Sequence, residues 1–156
     1  MTESLADGLL WAWRLDGQGG ATALDAAALT DGAGCTGTYE APVWVHLQLT
    51  ESAAESYAAS DALGLPRAAV EGLFAKETRP RTLALDEGIL VNLRGVNLNP
   101  DSEPEDMVSV RLWLEPGRVV SVRLRGVMAV REVSDRLAAG TGPRLASGII
   151  AEIARG

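Results

Sequence analysis

The sequence predicts an α+β fold in which helices sandwich a mixed, largely antiparallel β-sheet of about six or seven strands. Four extended apolar segments follow one another between residues 81 and 124, joined mostly by short connections that favour antiparallel neighbours. Segments with helical periodicity precede and follow this meander. The regular alternation of strand and helix that marks a doubly wound fold is absent from the sequence.

Two strands are predicted ahead of the meander. Residues 9–15 form the first, with Trp11 and Trp13 on one face because they lie two positions apart. A glycine-rich turn follows over residues 16–20, and the second strand covers residues 43–49. A helix from residue 50 to about residue 60 and another between Pro66 and Pro80 then lead into the meander.

The predicted meander consists of four strands and is followed by two helices. Its predicted strands are residues 81–85, 88–96, 107–114 and 118–124. A polar loop covers residues 97–106, and Pro116 followed by Gly117 has the chemistry of a type II turn. A helix over residues 127–139 with Gly140 at its end and a last helix starting at Pro143 close one domain over residues 1–156.

The composition and the net charge limit the kinds of partner that this chain can bind. The 156 residues are 47% hydrophobic, and their net charge is −7, from 14 basic and 21 acidic side chains. An acidic chain lacks the basic field that nucleic-acid binding requires, and it favours cations weakly. No apolar run reaches the roughly 18 residues that a membrane helix needs.

The chain offers little for catalysis. Cys35 is the one cysteine and His46 the one histidine, so a closed Cys/His zinc site cannot form within one chain. His46 shares a strand face with Trp44 and is read as a packed or surface histidine. Because no nucleophile–base pair is evident, an enzyme is the least favoured class.

Two charged sets are candidate binding sites. Arg94, Arg111 and Arg123 lie on three consecutive strands, and we predict that they share one sheet face. They would either pair with carboxylates or bind an anion through their guanidinium groups. The acidic loop residues Glu103, Glu105 and Asp106 are either solvated or ligands for a hard cation.

Short motifs in a fixed order resemble ZntB-type zinc transporters of the CorA family. The motifs are the segments at residues 8–13, 44–47, 77–81, 93–97, 104–113, 121–125 and 140–143. The resemblance extends over nearly the whole chain, since the motifs are spread from residue 8 to residue 143. One departure is Gln48, which stands where the family commonly has an acidic residue.

The resemblance implies a function that composition alone does not. It implies the soluble cytoplasmic domain of a divalent cation transporter at the bacterial inner membrane, with zinc as the transported ion and no required cofactor. Such transporters are homopentamers, and their stalk and two membrane helices would lie beyond this chain. A free-standing module that binds an anion or small molecule through the arginine row remains the alternative.

Overall fold

A seven-stranded sheet organises the part of the chain that the computed structural model describes. The described residues are 9–25, 41–48, 65, 67–73, 81–85, 88–96, 107–115, 117–123, 128–144 and 146–155. The strands are β1 (Leu9–Leu15), β2 (Ala21–Ala23), β3 (Val43–Gln48), β4 (Arg81–Leu85), β5 (Gly88–Val96), β6 (Met107–Glu115) and β7 (Arg118–Arg123). The described helices are α1 (Arg67–Leu73), α2 (Met128–Ala139) and α3 (Ala146–Arg155).

The strand order confirms a mixed, largely antiparallel sheet. The strands lie in the order β2-β1-β3-β7-β6-β5-β4. β3 and β7 run parallel, whereas the neighbouring pairs on either side of them are antiparallel. The predicted meander is therefore one half of the sheet, from β4 to β7. β3 joins this half of the sheet by pairing with β7, whose residues lie about 75 positions further along the chain.

Both faces of the sheet carry a hydrophobic core. Face A is the side that includes Val45 and Val120, and α1 packs there through Ala69 and Leu73. Face B is the side covered by α2 and α3. It includes Leu15, Trp44, Val91, Leu112 and Val119 from the sheet, with Val130, Val133, Leu137, Ile149 and Ile153 from the helices. Helices thus lie on both faces, although the described helix on face A is only 7 residues long.

The β6–β7 turn confirms the predicted chemistry. Glu115 pairs with Arg118 across the turn, and Gly117 has a φ of 87°, which glycine tolerates best. The Glu115 carboxylate accepts hydrogen bonds from Trp113 Nε1 at 2.6 Å and from the Arg118 guanidinium at 2.8 and 3.1 Å. These bonds fix the turn and therefore the pairing register of β6 and β7, the two strands that the turn joins.

Several boundaries differ from the predictions. β2 was not predicted, because a run of three residues with small side chains has no apolar alternation and forms only through its pairing with β1. The last helix begins at Ala146 rather than Pro143, and α2 begins at Met128. The predicted helix over residues 50–60 and the polar loop over residues 97–106 lie outside the described residues.

Candidate functional site

The predicted arginine row does not form, because Arg111 and Arg123 lie on opposite faces of the sheet. Residues directly opposite in neighbouring strands point to the same face. Arg111 pairs with Val122 and therefore shares face A with it, whereas Arg123 pairs with Val110 on face B. The prediction of one arginine face and one continuous apolar face is wrong.

The turn between β6 and β7 explains why the predicted arginine row does not form. Glu115 and Arg118 are opposite each other with two residues between them, so each step back along β6 matches one step forward along β7. Arg111 consequently meets Val122, and Arg123 meets Val110. Alternation within each strand was predicted correctly, but the pairing register decides which faces coincide.

Arg111 lies almost fully buried beside the end of α1. Arg111 is 5% exposed, and its Nη1 donates a hydrogen bond of 3.0 Å to the carbonyl oxygen of Leu73. A cation is favoured there because the last carbonyls of a helix carry partial negative charge. Burial lowers the pKa of Arg111 from its ordinary value. Arg111 thus connects β6 to α1 through a described bond to a backbone carbonyl.

Arg123 lies half-buried on face B at the end of β7. Its Nε donates a hydrogen bond of 3.0 Å to Oε1 of Gln48, the residue opposite it on parallel β3. Burial, and secondarily the charge of Arg131, lower the pKa of Arg123. Gln48, the position at which the sequence departs from the resembled family, therefore meets one of the three predicted arginines. Arg94 pairs with Ser109 through its backbone, and its side chain lies outside the described residues.

A buried polar cluster lies beside Arg123 on face B. Ser121 Oγ accepts a hydrogen bond from Trp44 Nε1 at 2.8 Å and lies 2.6 Å from His46 Nδ1. His46, Trp44 and Ser121 are each 0% exposed. The Trp11 ring stacks on His46 with 4.5 Å between ring centroids. The cluster therefore joins β1, β3 and β7 at the centre of the sheet.

Burial keeps His46 neutral. Burial, and secondarily the charge of Arg123, together lower the pKa of His46 from 6.5 to about 3, against an opposing contribution from the hydrogen bond with Ser121. The Ser121 hydroxyl lies much closer to His46 Nδ1 than to the Val45 carbonyl oxygen, at 3.5 Å. We therefore assign the hydroxyl hydrogen to the His46 bond and the imidazole hydrogen to Nε2. The sequence left open whether His46 is packed or at the surface, and the structure shows it packed.

The sequence did not reveal Ser121 as the partner of His46 and Trp44. Trp44 and His46 were correctly placed on one face, and Ser121 was placed on the face of Arg123. The missing information was the parallel pairing of β3 with β7, which no local pattern reports. A strand face that carries Trp44 and His46 two positions apart is nevertheless a signal that buried ring nitrogens need a polar partner.

The described residues contain no group of three or more His, Cys, Asp or Glu side chains that could hold a metal ion. The acidic candidates Glu103, Glu105 and Asp106 lie outside these residues, so their proposed role as cation ligands stays a prediction. None of the described helices is long and apolar enough to cross a membrane.

The mixed sheet with helices on both faces defines the fold class, and comparison with known proteins identifies the family. A profile of the family described as CorA-like Mg²⁺ transporter protein matches residues 39–156. The chain belongs to this family.

Two curated relatives are similar in sequence. The divalent cation transporter CmaX of Pseudomonas aeruginosa is 44% identical over 112 residues, covering 71% of this chain and 33% of the relative. The zinc transport protein ZntB of Yersinia enterocolitica is 31% identical over 147 residues, covering 94% of this chain and 42% of the relative. The chain thus spans less than half the length of these relatives.

Solved structures agree with the sequence relationship. The structure of full-length CmaX superposes with a TM-score of 0.82 at 38% identity, covering 95% of this chain and 44% of that one. The crystal structure of the ZntB cytoplasmic domain from Vibrio parahaemolyticus superposes with a TM-score of 0.74 at 26% identity, covering 94% of this chain and 56% of that one. The fold class predicted from the sequence is therefore confirmed.

Proposed function

We propose that this chain is the cytoplasmic domain of a divalent cation transporter and that zinc is the ion transported. The observation that carries the proposal is the similarity, over 94% of the chain, to a solved ZntB cytoplasmic domain. The relatives named as a zinc transport protein and a divalent cation transporter support the same class of cargo. The choice of zinc rests on the ZntB relatives and on the resemblance of the sequence motifs.

The domain would influence transport without conducting ions itself. Its net charge of −7 raises the local concentration of cations near its surface. In the complete protein it would lie on the cytoplasmic side of the bacterial inner membrane and assemble as a homopentamer. Membrane attachment would come from helices outside these 156 residues.

The alternative, an anion-binding module, loses its main support. It required Arg94, Arg111 and Arg123 to line one face, but Arg111 and Arg123 lie on opposite faces. The described partners of these two side chains are a backbone carbonyl and an amide oxygen. These contacts fit structural roles better, with Arg111 connecting β6 to α1 and Arg123 connecting β7 to β3.

The coding sequence downstream of Gly156 tests the assignment. We expect it to encode two apolar segments of about 20 residues each, long enough to span a bilayer. A stop codon directly after Gly156 would contradict the transporter and favour a free-standing module. If the segments are present, uptake of zinc, rather than magnesium, by the complete product would support the choice of ion.

A further inference from the structure

The helix pair α2–α3 rests on face B through apolar side chains. Val130, Val133 and Leu137 of α2 and Ile149 and Ile153 of α3 are all buried there. Arg136 and Glu152 form a salt bridge of 2.6 Å between the two helices, so the pair is also connected within itself. Apolar contacts are not directional, and small sliding of packed helices is one of the ways in which such layers change their arrangement.

The β1–β2 hairpin makes directional contacts with this pair at two places. Trp13 Nε1 donates a hydrogen bond of 2.9 Å to Ser134 Oγ in the middle of α2. The backbone N–H of Gly142, in the connection between α2 and α3, donates a hydrogen bond of 2.7 Å to the carbonyl oxygen of Gly19. One contact therefore lies along the helix and the other at its end.

The hairpin turn is built to hold its position. The Asp16 carboxylate accepts hydrogen bonds from the backbone N–H groups of Gln18 at 2.7 Å and Gly20 at 3.1 Å. Gly19 has a φ of 101°, and a Cβ at this position would lie 2.9 Å from the carbonyl oxygen of Gly140. The turn thus meets the α2–α3 connection backbone to backbone, with no space for a side chain between them.

We propose that the β1–β2 hairpin is a latch that fixes the sliding position of the α2–α3 pair on face B. The apolar core holds the pair to the sheet, and the two hairpin bonds select one position along it. The hairpin lies ahead of residue 39, where the match to the family profile begins, whereas Ser134 and Gly142 lie within that match. This inference does not depend on the proposed transport function.

Trp13 and Trp11 provide a matched pair of variants. Both are half-buried tryptophans of β1 on face B, but within the described structure Trp11 Nε1 has no hydrogen-bond partner. Trp13→Phe removes the hydrogen bond to Ser134. Trp11→Phe removes an equal part of a ring that contacts His46 and Trp44, but it removes no described hydrogen bond. Ser134→Ala removes the same bond from the helix side and keeps both tryptophans.

Hydrogen–deuterium exchange on the complete 156-residue chain tests the latch. We expect Trp13→Phe and Ser134→Ala each to speed amide exchange in α2 and α3 by about three- to tenfold relative to β5 and β6, the loss expected from one hydrogen bond. Trp11→Phe should leave this ratio unchanged. Equal acceleration in all elements, or the same pattern for Trp11→Phe, would overturn the proposal.

A distance measurement tests the latch independently of exchange rates. Spin labels at the exposed positions Ala84 on β4 and Asp135 on α2, in a Cys35→Ser background, report the helix position relative to the sheet. We expect Trp13→Phe to shift or broaden the distance distribution and Trp11→Phe to leave it unchanged. An unchanged distribution in both Trp13→Phe and Ser134→Ala would contradict a latch.

Discussion

At the scale of residues, one serine organises the centre of the sheet. Ser121 is in hydrogen-bond contact with Trp44 and His46, and all three are fully buried. Buried polar groups are stabilising only when they are paired, so the cluster depends on this hydroxyl. The same burial that makes the bonds strong keeps His46 neutral.

The neutral His46 gives the domain a pH-dependent stability. The unfolded chain takes up a proton at this residue near pH 6.5, whereas the folded chain does so only near the lowered pKa of about 3. Acid therefore favours the unfolded state between these values, by up to about 1.4 kcal/mol per pH unit. Because His46 is the one histidine, His46→Gln should lose stability less steeply between pH 6.5 and pH 4 in urea unfolding. Parallel pH profiles for the two proteins would show that His46 titrates normally.

Removal of the Ser121 hydroxyl should cost more than removal of a similar hydroxyl elsewhere. Ser121→Ala leaves two fully buried ring nitrogens, of Trp44 and His46, without their partner, at about 1–3 kcal/mol each. Ser134→Ala is the control, since it removes one part-buried bond, to Trp13. Chemical unfolding of both variants gives the two free-energy changes. Equal losses would mean that the cluster adds nothing beyond a single bond.

At the scale of elements, the bounds of the strands were predictable from the sequence, whereas the register between β6 and β7 was mispredicted. The strands from β4 to β7 were predicted within one residue because alternation and turn residues are local signals. The shared face of Arg111 and Arg123 was predicted wrongly because it depends on the parity of the β6–β7 pairing. The length of the Glu115–Arg118 turn determines that register. Counting residues back along β6 and forward along β7 from this pair would have placed Arg123 on the correct face.

Two glycines with similar backbones should respond differently to substitution. Gly19 and Gly140 have φ values of 101° and 83°, so alanine strains either position by about 1–2 kcal/mol. At Gly140 an added Cβ meets nothing within 4 Å, whereas at Gly19 it would lie 2.9 Å from a backbone oxygen. Gly19→Ala should therefore lower the melting temperature more than Gly140→Ala. The reverse order in thermal unfolding would contradict the close packing of the hairpin against the helix connection.

At the scale of the whole molecule, the family was recognisable from ordered motifs, but the assembly of the sheet was not predictable. β3 and β7 meet in parallel although they are far apart in sequence, and local periodicity carries no information about that pairing. The buried cluster of His46, Trp44 and Ser121 forms across this junction and was missed for the same reason. The contact of Arg123 with Gln48 follows from the same parallel pairing.

The isolated 156-residue chain should associate only weakly. In the proposed homopentamer, much of the contact between subunits would come from helices beyond this chain, so mass action at micromolar concentration favours monomers or dimers. Sedimentation velocity over a range of concentrations measures this directly. A stable pentamer at micromolar concentration would show that the domain contains the assembly interface itself.

Cation uptake by the complete gene product tests the central claim most directly. The protein encoded by the full reading frame would be reconstituted into vesicles, with empty vesicles as the control. The account predicts that these vesicles take up zinc faster than the control vesicles do. Uptake of zinc and other divalent cations no faster than in the control, by protein shown to be inserted and folded, would contradict the assignment of this domain to a cation transporter.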